Sequence, residues 1–179
     1  KRSKLEKHQT EQLTVIDTSA DALLELLNDI LDLSKIEAGG MQLEQVDFAL
    51  WDVLDAVMKL MAMRAHEKGL ELACHVAPDV PEGLVGDPTR LRQIIVNLVG
   101  NAIKFTAEGE IVVEVKCESQ SEGSACLHVS VRDTGVGIAE EKQALIFDAF
   151  SQADSSTTRE FGGTGLGLDI SRQLVDLMD

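Results

Sequence analysis

Asn97-Leu98-Val99-Gly100-Asn101-Ala102-Ile103-Lys104-Phe105-Thr106 is followed along the chain by Asp133-Thr134-Gly135-Val136-Gly137-Ile138, and then by Gly162-Gly163-Thr164-Gly165-Leu166-Gly167-Leu168. A glycine cluster alone is ordinary punctuation. Two of them after an amide-bearing helix, in this order, describe a nucleotide pocket. It would have a carboxylate for the base, backbone free of side chains for close approach, and phosphate and metal ligands on a helix.

Each segment also has a plainer reading. Asp133 ends a strand and opens a glycine turn; a buried carboxylate there can accept from an exocyclic amine, with Gly135 and Gly137 leaving the ring room. Taken alone, Asp-Thr-Gly is a turn that closes a loop. Asn97 and Asn101 share one helix face. On a helix that otherwise buries Leu and Ile, their amides need partners. A hydrated Mg²⁺ would supply them, since it takes oxygen ligands; so would neighbouring backbone. Lys104 is one turn further on and can reach a phosphate or stay solvated. Gly163-Thr164-Gly165-Leu166-Gly167 runs into a helix whose first N–H groups are open to an anion. It is not a P-loop, having no Gly-Lys-Ser/Thr, nor a dinucleotide fingerprint, having no βαβ unit around it. Its plainer reading is a flexible hinge and C-cap cluster. The polar stretch before it, Ser151 to Phe161, reads as mobile and can act as a lid, with Arg159 either touching phosphate or solvated.

The chain has 179 residues, 44% of them hydrophobic, and a formal net charge of −15. A packed core is affordable. The acidity excludes a nucleic-acid or anionic-membrane surface, which needs clustered Lys and Arg. It also means that an anionic nucleotide must be held by Mg²⁺, a few local cations and backbone N–H groups rather than by the overall field. Cys74, Cys117 and Cys126 have neither disulfide nor zinc spacing. Cys117 and Cys126 could face each other across a hairpin, but buried free thiols fit better, in a reducing cytosolic compartment. No stretch reaches the length of a membrane span, so no direct membrane contact is expected.

Residues 9 to 38 read as one long helix with Leu13, Ile16, Ala20, Leu23, Leu27 and Ile30 at spacings of three and four, widened by Leu24 and Leu31. That is a bundle seam, or else the apolar face of an ordinary amphipathic helix. Gln42 to Phe48 alternates as a strand. Residues 50 to 68 form a helix burying Leu50, Val53, Leu54, Val57, Leu60 and Met61, with Trp51 packed beside that face. Glu71 to Ala77 and Leu84 to Gly86 are strands. Asp87-Pro88-Thr89 starts a helix running to Phe105. Gly109 to Cys117 and Ala125 to Asp133 alternate with period two. A short helix follows at Glu140 to Phe147, and a last one at Gly167 to Met178. The expected class is α+β: a two-layer sandwich with helices on one face of a mixed sheet, preceded by a long helix.

Read in series, these segments resemble the catalytic and ATP-binding domain of sensor histidine kinases, within the wider family shared with HSP90, DNA gyrase and MutL. Asn97 to Thr106 resembles the N box, Asp133 to Ile138 the G1 box, Phe147-Asp148-Ala149-Phe150 the F box, and Gly163 to Gly167 the G2 box. Residues 15 to 46, including Asn28 to Gly39, resemble the second dimerisation helix of hybrid kinases. The resemblance implies a Bergerat-type fold, with a partial dimerisation arm at 1–40 and an ATP-binding domain at 41–179. It implies ATP and Mg²⁺ as cofactors. Asp133 would bind the adenine amine, Asn101 would ligate Mg²⁺ with Asn97 beside it, and Lys104 would contact phosphate. Gly135, Gly137, Ile138, Gly163, Thr164, Gly165, Leu166 and Gly167 would shape the pocket and lid. Phe147 and Phe150 would anchor that lid, and Arg159 would touch phosphate.

Position 97 separates branches of the family. ATP-hydrolysing and serine-phosphorylating relatives resemble one another in carrying Glu there as general base. An amide cannot take a proton, whereas a histidine acceptor already offers a lone pair near neutral pH. Transfer would then rest on positioning and charge neutralisation. The acceptor motif, His followed by an acid with Arg and Pro soon after, is missing: His8 precedes Gln9-Thr10, and His66, His75 and His128 lie in the globular part. The expected function is therefore transfer of the ATP γ-phosphoryl group to a histidine outside this sequence, for relay to a receiver aspartate. Homodimerisation would run through the arm once the full dimerisation domain is present. Relatives continue into a further strand pair after the last helix, so a C-terminally shortened domain is expected. The rival readings are a non-catalytic ATP-responsive interaction module and a chaperone-like or anti-sigma-type ATPase, the latter opposed by Asn97.

Overall fold

The computed structural model describes residues 7–121, 123–148 and 165–178. The chain divides into two compact units, 1–41 and 42–179. The first is one helix, α1 (Lys7–Glu37). Gly39, at φ +62°, ends it: the Gly39 N–H donates to Ile36 O and the Gly40 N–H to Lys35 O. A left-handed glycine there satisfies carbonyls that the last turn leaves open. Leu13, Ile16, Leu23, Leu24, Leu27, Ile30 and Leu31, the seam residues, are all exposed.

The second unit holds β1 (Val46–Ala49), α2 (Leu50–Glu67), β2 (Glu71–Val76), β3 (Gly83–Gly86), α3 (Pro88–Phe105), β4 (Glu110–Ser121), β5 (Ser124–Asp133), the single turn α4 (Glu140–Gln143), a 3₁₀ turn at Leu145–Phe147, and α5 (Gly167–Met178). β1 and β3 form an antiparallel pair with Val46 opposite Gly86. The main sheet runs β2-β4-β5, β2 parallel to β4 and β4 antiparallel to β5. It is a mixed sheet, as expected of the α+β class. Ile111, Val113 and Val115 of β4 are fully buried against Leu54, Val57 and Met61 of α2 and Ile95, Val99 and Ala102 of α3. The intervening Glu114 and Lys116 point the other way and pair with each other, N–O 2.6 Å. One sheet face is thus core and the other is wet, the usual condition for period-two patterning.

Both ends of α3 are fixed by charge. At its start Asp87, only 7% exposed, accepts from the N–H groups of Thr89 and Arg90 through Oδ1. Its Oδ2 accepts from the N–H of Glu44, 3.1 Å away. At its end Lys68 Nζ donates to Ile103 O (2.7 Å), Lys104 O (3.0 Å) and Thr106 O (3.5 Å). An ammonium over the last carbonyls also complements the helix dipole. Nothing in the local pattern around Lys68 announces this contact, which reaches 35 residues along the chain.

Several expectations need correction. Leu60 is 54% exposed and Ala65 takes its place in the core, because the buried stripe on α2 turns with the 3.6-residue period rather than widening. Trp51 is half exposed rather than packed. The strand expected from Gln42 begins at Val46, since only that part finds a partner in β3. The Glu140–Phe147 helix breaks into the two short turns above. The β4–β5 hairpin is longer than its apolar pattern, running to Ser121. Cys117 lies opposite Leu127 and Cys126 opposite Ser119, so the two thiols do not pair; all three cysteines are free, and Cys126 is exposed, not buried. Among the described residues no helix is long and apolar enough to cross a membrane.

Asp87→Ala should remove both the α3 cap and the Glu44 link. Chemical denaturation should show a loss of about 1–3 kcal/mol. An unchanged midpoint would mean that the cap carries no weight.

Candidate nucleotide-binding site

The three sequence stretches meet on α3. At its C-terminal end, Gly135 comes so close to the helix that an added Cβ would stand 2.6 Å from Phe105 O, and the Val136 N–H donates to the same oxygen. The approach needs a residue without a side chain. Two turns earlier, an added Cβ on Gly167 would overlap Asn97 Oδ1. From Asn97 to Phe105 is about 12 Å along the helix axis. The two glycine segments therefore seat at opposite ends of one helical stretch.

The Asp133 end is anchored to the sheet. Asp133 is the last residue of β5, paired with Ile111. Its Oδ1 accepts from the Gly135 N–H at 2.8 Å, which shapes the turn. Thr134 Oγ1 accepts from the Glu110 N–H (3.1 Å) and donates to Glu108 O (3.2 Å). Gly137, at φ +69°, turns the chain onward, and Ile138 follows, 47% exposed. The carboxylate of Asp133 was expected to be buried; the residue is exposed, because the strand ends there and nothing described covers it. Beside this junction Thr106 is wholly buried, and its Oγ1 has no hydrogen-bond partner among the described residues. A buried hydroxyl left unpaired in the protein fits a site completed by a small polar partner.

At the other end, Asn97 and Asn101 lie one turn apart on α3, both half-buried. Asn97 Nδ2 donates to Ser171 Oγ at 2.8 Å, and Asn101 Nδ2 donates to Asn97 Oδ1 at 3.3 Å. With Nδ2 so engaged, Asn101 keeps Oδ1 for a partner outside the pair. An oxygen donor of that kind suits a hard divalent cation that retains several waters. Gly165, at φ +72°, leads into α5, whose first intrahelical bond runs from Ile170 N to Leu166 O. The N–H groups of Gly167, Leu168 and Asp169 precede it, and a helix supplies them no acceptor. Leu166 is buried.

Local cations are few. Lys104 Nζ stands 4.8 Å from the centre of the Phe105 ring. Burial holds its ammonium below the ordinary lysine value of 10.5. Arg172 is tied to the buried Asp169, 2.8 Å, with Gln173 on the second carboxylate oxygen. Phe147, expected as a lid anchor, is 38% exposed at the end of the 3₁₀ turn. Phe150, Arg159, Gly163 and Thr164 lie outside the described residues, as does the stretch from Ser151 to Phe161. Sequence reading missed Ser171, Thr134 and Lys68. Ser171 was open to discovery, since it stands four residues after Gly167 on the same helix face.

Residues 86–179 match the family described as histidine kinase-, DNA gyrase B-, and HSP90-like ATPase. The chain belongs to that ATPase family. It is 48% identical over 177 residues to the signal transduction histidine-protein kinase BarA of Escherichia coli K12, a match spanning 99% of this chain and 19% of BarA. It is 43% identical over 173 residues to the hybrid signal transduction histidine kinase L of Dictyostelium discoideum, covering 97% of this chain and 10% of that protein. The chain thus spans at most about a fifth of the length of these relatives. Among solved structures it is similar to full-length ShkA in complex with AMPPNP, with a TM-score of 0.79 at 38% identity, over 98% of this chain and 35% of ShkA.

Lys104 gives a pH test independent of any ligand. Burial lowers its folded value, so the folded state binds fewer protons there than the unfolded chain does. The resulting penalty is fully present below the lowered value and is lifted as pH rises from there toward 10.5. The stability of the wild type relative to Lys104→Met should therefore rise across that window in urea titrations. A flat difference would show that the ammonium is not desolvated.

Proposed function

We propose that this chain is the ATP-binding kinase core of a hybrid-type sensor histidine kinase, and that it delivers the γ-phosphoryl group of ATP to a histidine outside these residues. The single observation that carries the reading is the seating of Gly135 and Gly167 on one helix, at Phe105 O and Asn97. Membership of the ATPase family, the kinase relatives and the likeness to ShkA bound to an ATP analogue support it.

Asp133 accepts the adenine amine, with Gly135, Gly137 and Ile138 forming the wall beside the ring. Asn101 presents its amide oxygen to Mg²⁺, held in place by Asn97. The metal, when bound, neutralises phosphate charge. Lys104 and the open N–H groups at the start of α5 face the phosphates, so a chain of net charge −15 binds an anion through local donors. Gly165 and Leu166 belong to the nucleotide pocket in this reading, and Phe150, Arg159, Gly163 and Thr164, which lie outside the described residues, are its further nucleotide-contacting positions. Asn97 is no base. The acceptor imidazole brings its own lone pair, and the protein's task is to place it in line with the γ-phosphorus and to exclude water.

Residues 1–40 serve as part of a dimerisation arm whose exposed leucine seam pairs with a second copy, and residues 41–179 form the catalytic domain. The phosphohistidine then passes its group to a receiver-domain aspartate. The cytosol is the compartment this chemistry uses.

Calorimetric titration with a non-hydrolysable ATP analogue should give binding strengthened by Mg²⁺, weakened roughly 10- to 100-fold in Asp133→Asn by loss of a charge-assisted hydrogen bond. Equal affinity in both proteins would remove Asp133 from the site. With labelled ATP and a separate acceptor helix, an acid-labile, base-stable phosphoprotein should form. Steady ATP hydrolysis by the chain alone would instead favour a hydrolase.

A further inference from the structure

Ser171 belongs to none of the segments to which a role is given above, yet among the described residues its side chain ties α5 to the amides of α3. It is buried, 7% exposed, in the second turn of α5. Its Oγ receives Asn97 Nδ2 at 2.8 Å. Asn97 Oδ1 in turn receives Asn101 Nδ2 at 3.3 Å. Two pairs of residues, each four apart, face one another across the α3–α5 contact: Asn97 with Asn101, and Gly167 with Ser171. Gly167 provides the clearance, since a Cβ there would overlap Asn97 Oδ1. Ser171 provides the polar partner.

The direction of this relay matters. An amide carries a donor at one end and an acceptor at the other, while a hydroxyl can serve as either. With Ser171 accepting, Asn97 must turn Nδ2 toward α5 and Oδ1 toward Asn101. Asn101 must then spend Nδ2 on Asn97 and keep Oδ1. If Asn97 were rotated by half a turn, Asn101 would have to give its oxygen to Asn97 and present its NH₂ group instead. An NH₂ group repels a cation. The two settings thus differ in whether the end of the relay attracts or rejects a divalent ion.

We propose that Ser171 is a positioning residue that anchors the Asn97 side chain, and through it holds Asn101 in the setting that leaves its oxygen available to the Mg²⁺ that accompanies the nucleotide. The inference rests on the nucleotide-site reading above and deepens it. Ser171 acts only through Asn97 and touches neither metal nor phosphate.

The test compares Ser171→Thr with Ser171→Val in the full chain. The two side chains have nearly the same volume and differ in the hydroxyl, so any packing cost is shared, and thermal melts of both give its size. The readout is calorimetric affinity for a non-hydrolysable ATP analogue with Mg²⁺ and with EDTA, which gives the enhancement due to the metal. Wild type and the Thr variant should keep that enhancement. The Val variant should lose roughly 10- to 100-fold of it, the usual cost of removing a partner that orients a metal ligand, while its affinity in EDTA stays level with that of the Thr variant. Equal enhancement in the Thr and Val variants, whether kept or lost together, overturns the role of the hydroxyl. A wild type that binds no analogue at all sinks the nucleotide reading itself, and this inference with it.

Discussion

The fixing of α3 at both ends by charged side chains is the constraint on which the site depends. Asp87 ties the first turn to the segment before β1, and Lys68 gathers the carbonyls of Ile103, Lys104 and Thr106 at the last. Each cap satisfies backbone groups that a helix leaves open. Between them lie Asn97, Asn101 and Lys104, so their height above the sheet follows from two contacts outside the site. The buried stripe Ile95, Val99 and Ala102 sets the rotation of the same helix. Axial position comes from electrostatics and rotation from packing.

Much of this was legible in the sequence. Period-two runs placed β2, β4 and β5, and Asp87-Pro88 placed the start of α3 to the residue. Those signals are local, set by alternation and capping within a few residues. The glycine segments pointed to a shared site because each demands backbone approach to something, and Phe105 O and Asn97 are what they approach. What stayed hidden was the long-range part. Lys68 looks like any solvated lysine at a helix end, and Ser171 like any small helical residue. Only the fold brings them to their partners. The burial of Asp133 was misjudged for a related reason: the sequence shows a carboxylate closing a strand but not what lies over it.

The acidity of the chain and its reading as an anion binder are compatible because the charges are spatially sorted. Arg172 is paired with Asp169, and Lys68 donates to the carbonyls at the end of α3. Lys104 lies over the Phe105 ring, and burial holds its ammonium below the ordinary lysine value.

The latch between the glycine turn and the sheet links two distant positions in evolution. Gly109 sits at φ +109°, and a Cβ on it would run into Thr134 Oγ1. That hydroxyl is itself needed by the Glu110 N–H. Enlarging residue 109 while Thr134 remains would force the turn off the strand, and removing the hydroxyl alone would cut the bond that holds the turn to the Glu110 N–H. Lineages should therefore drift at these two sites in concert, or at neither.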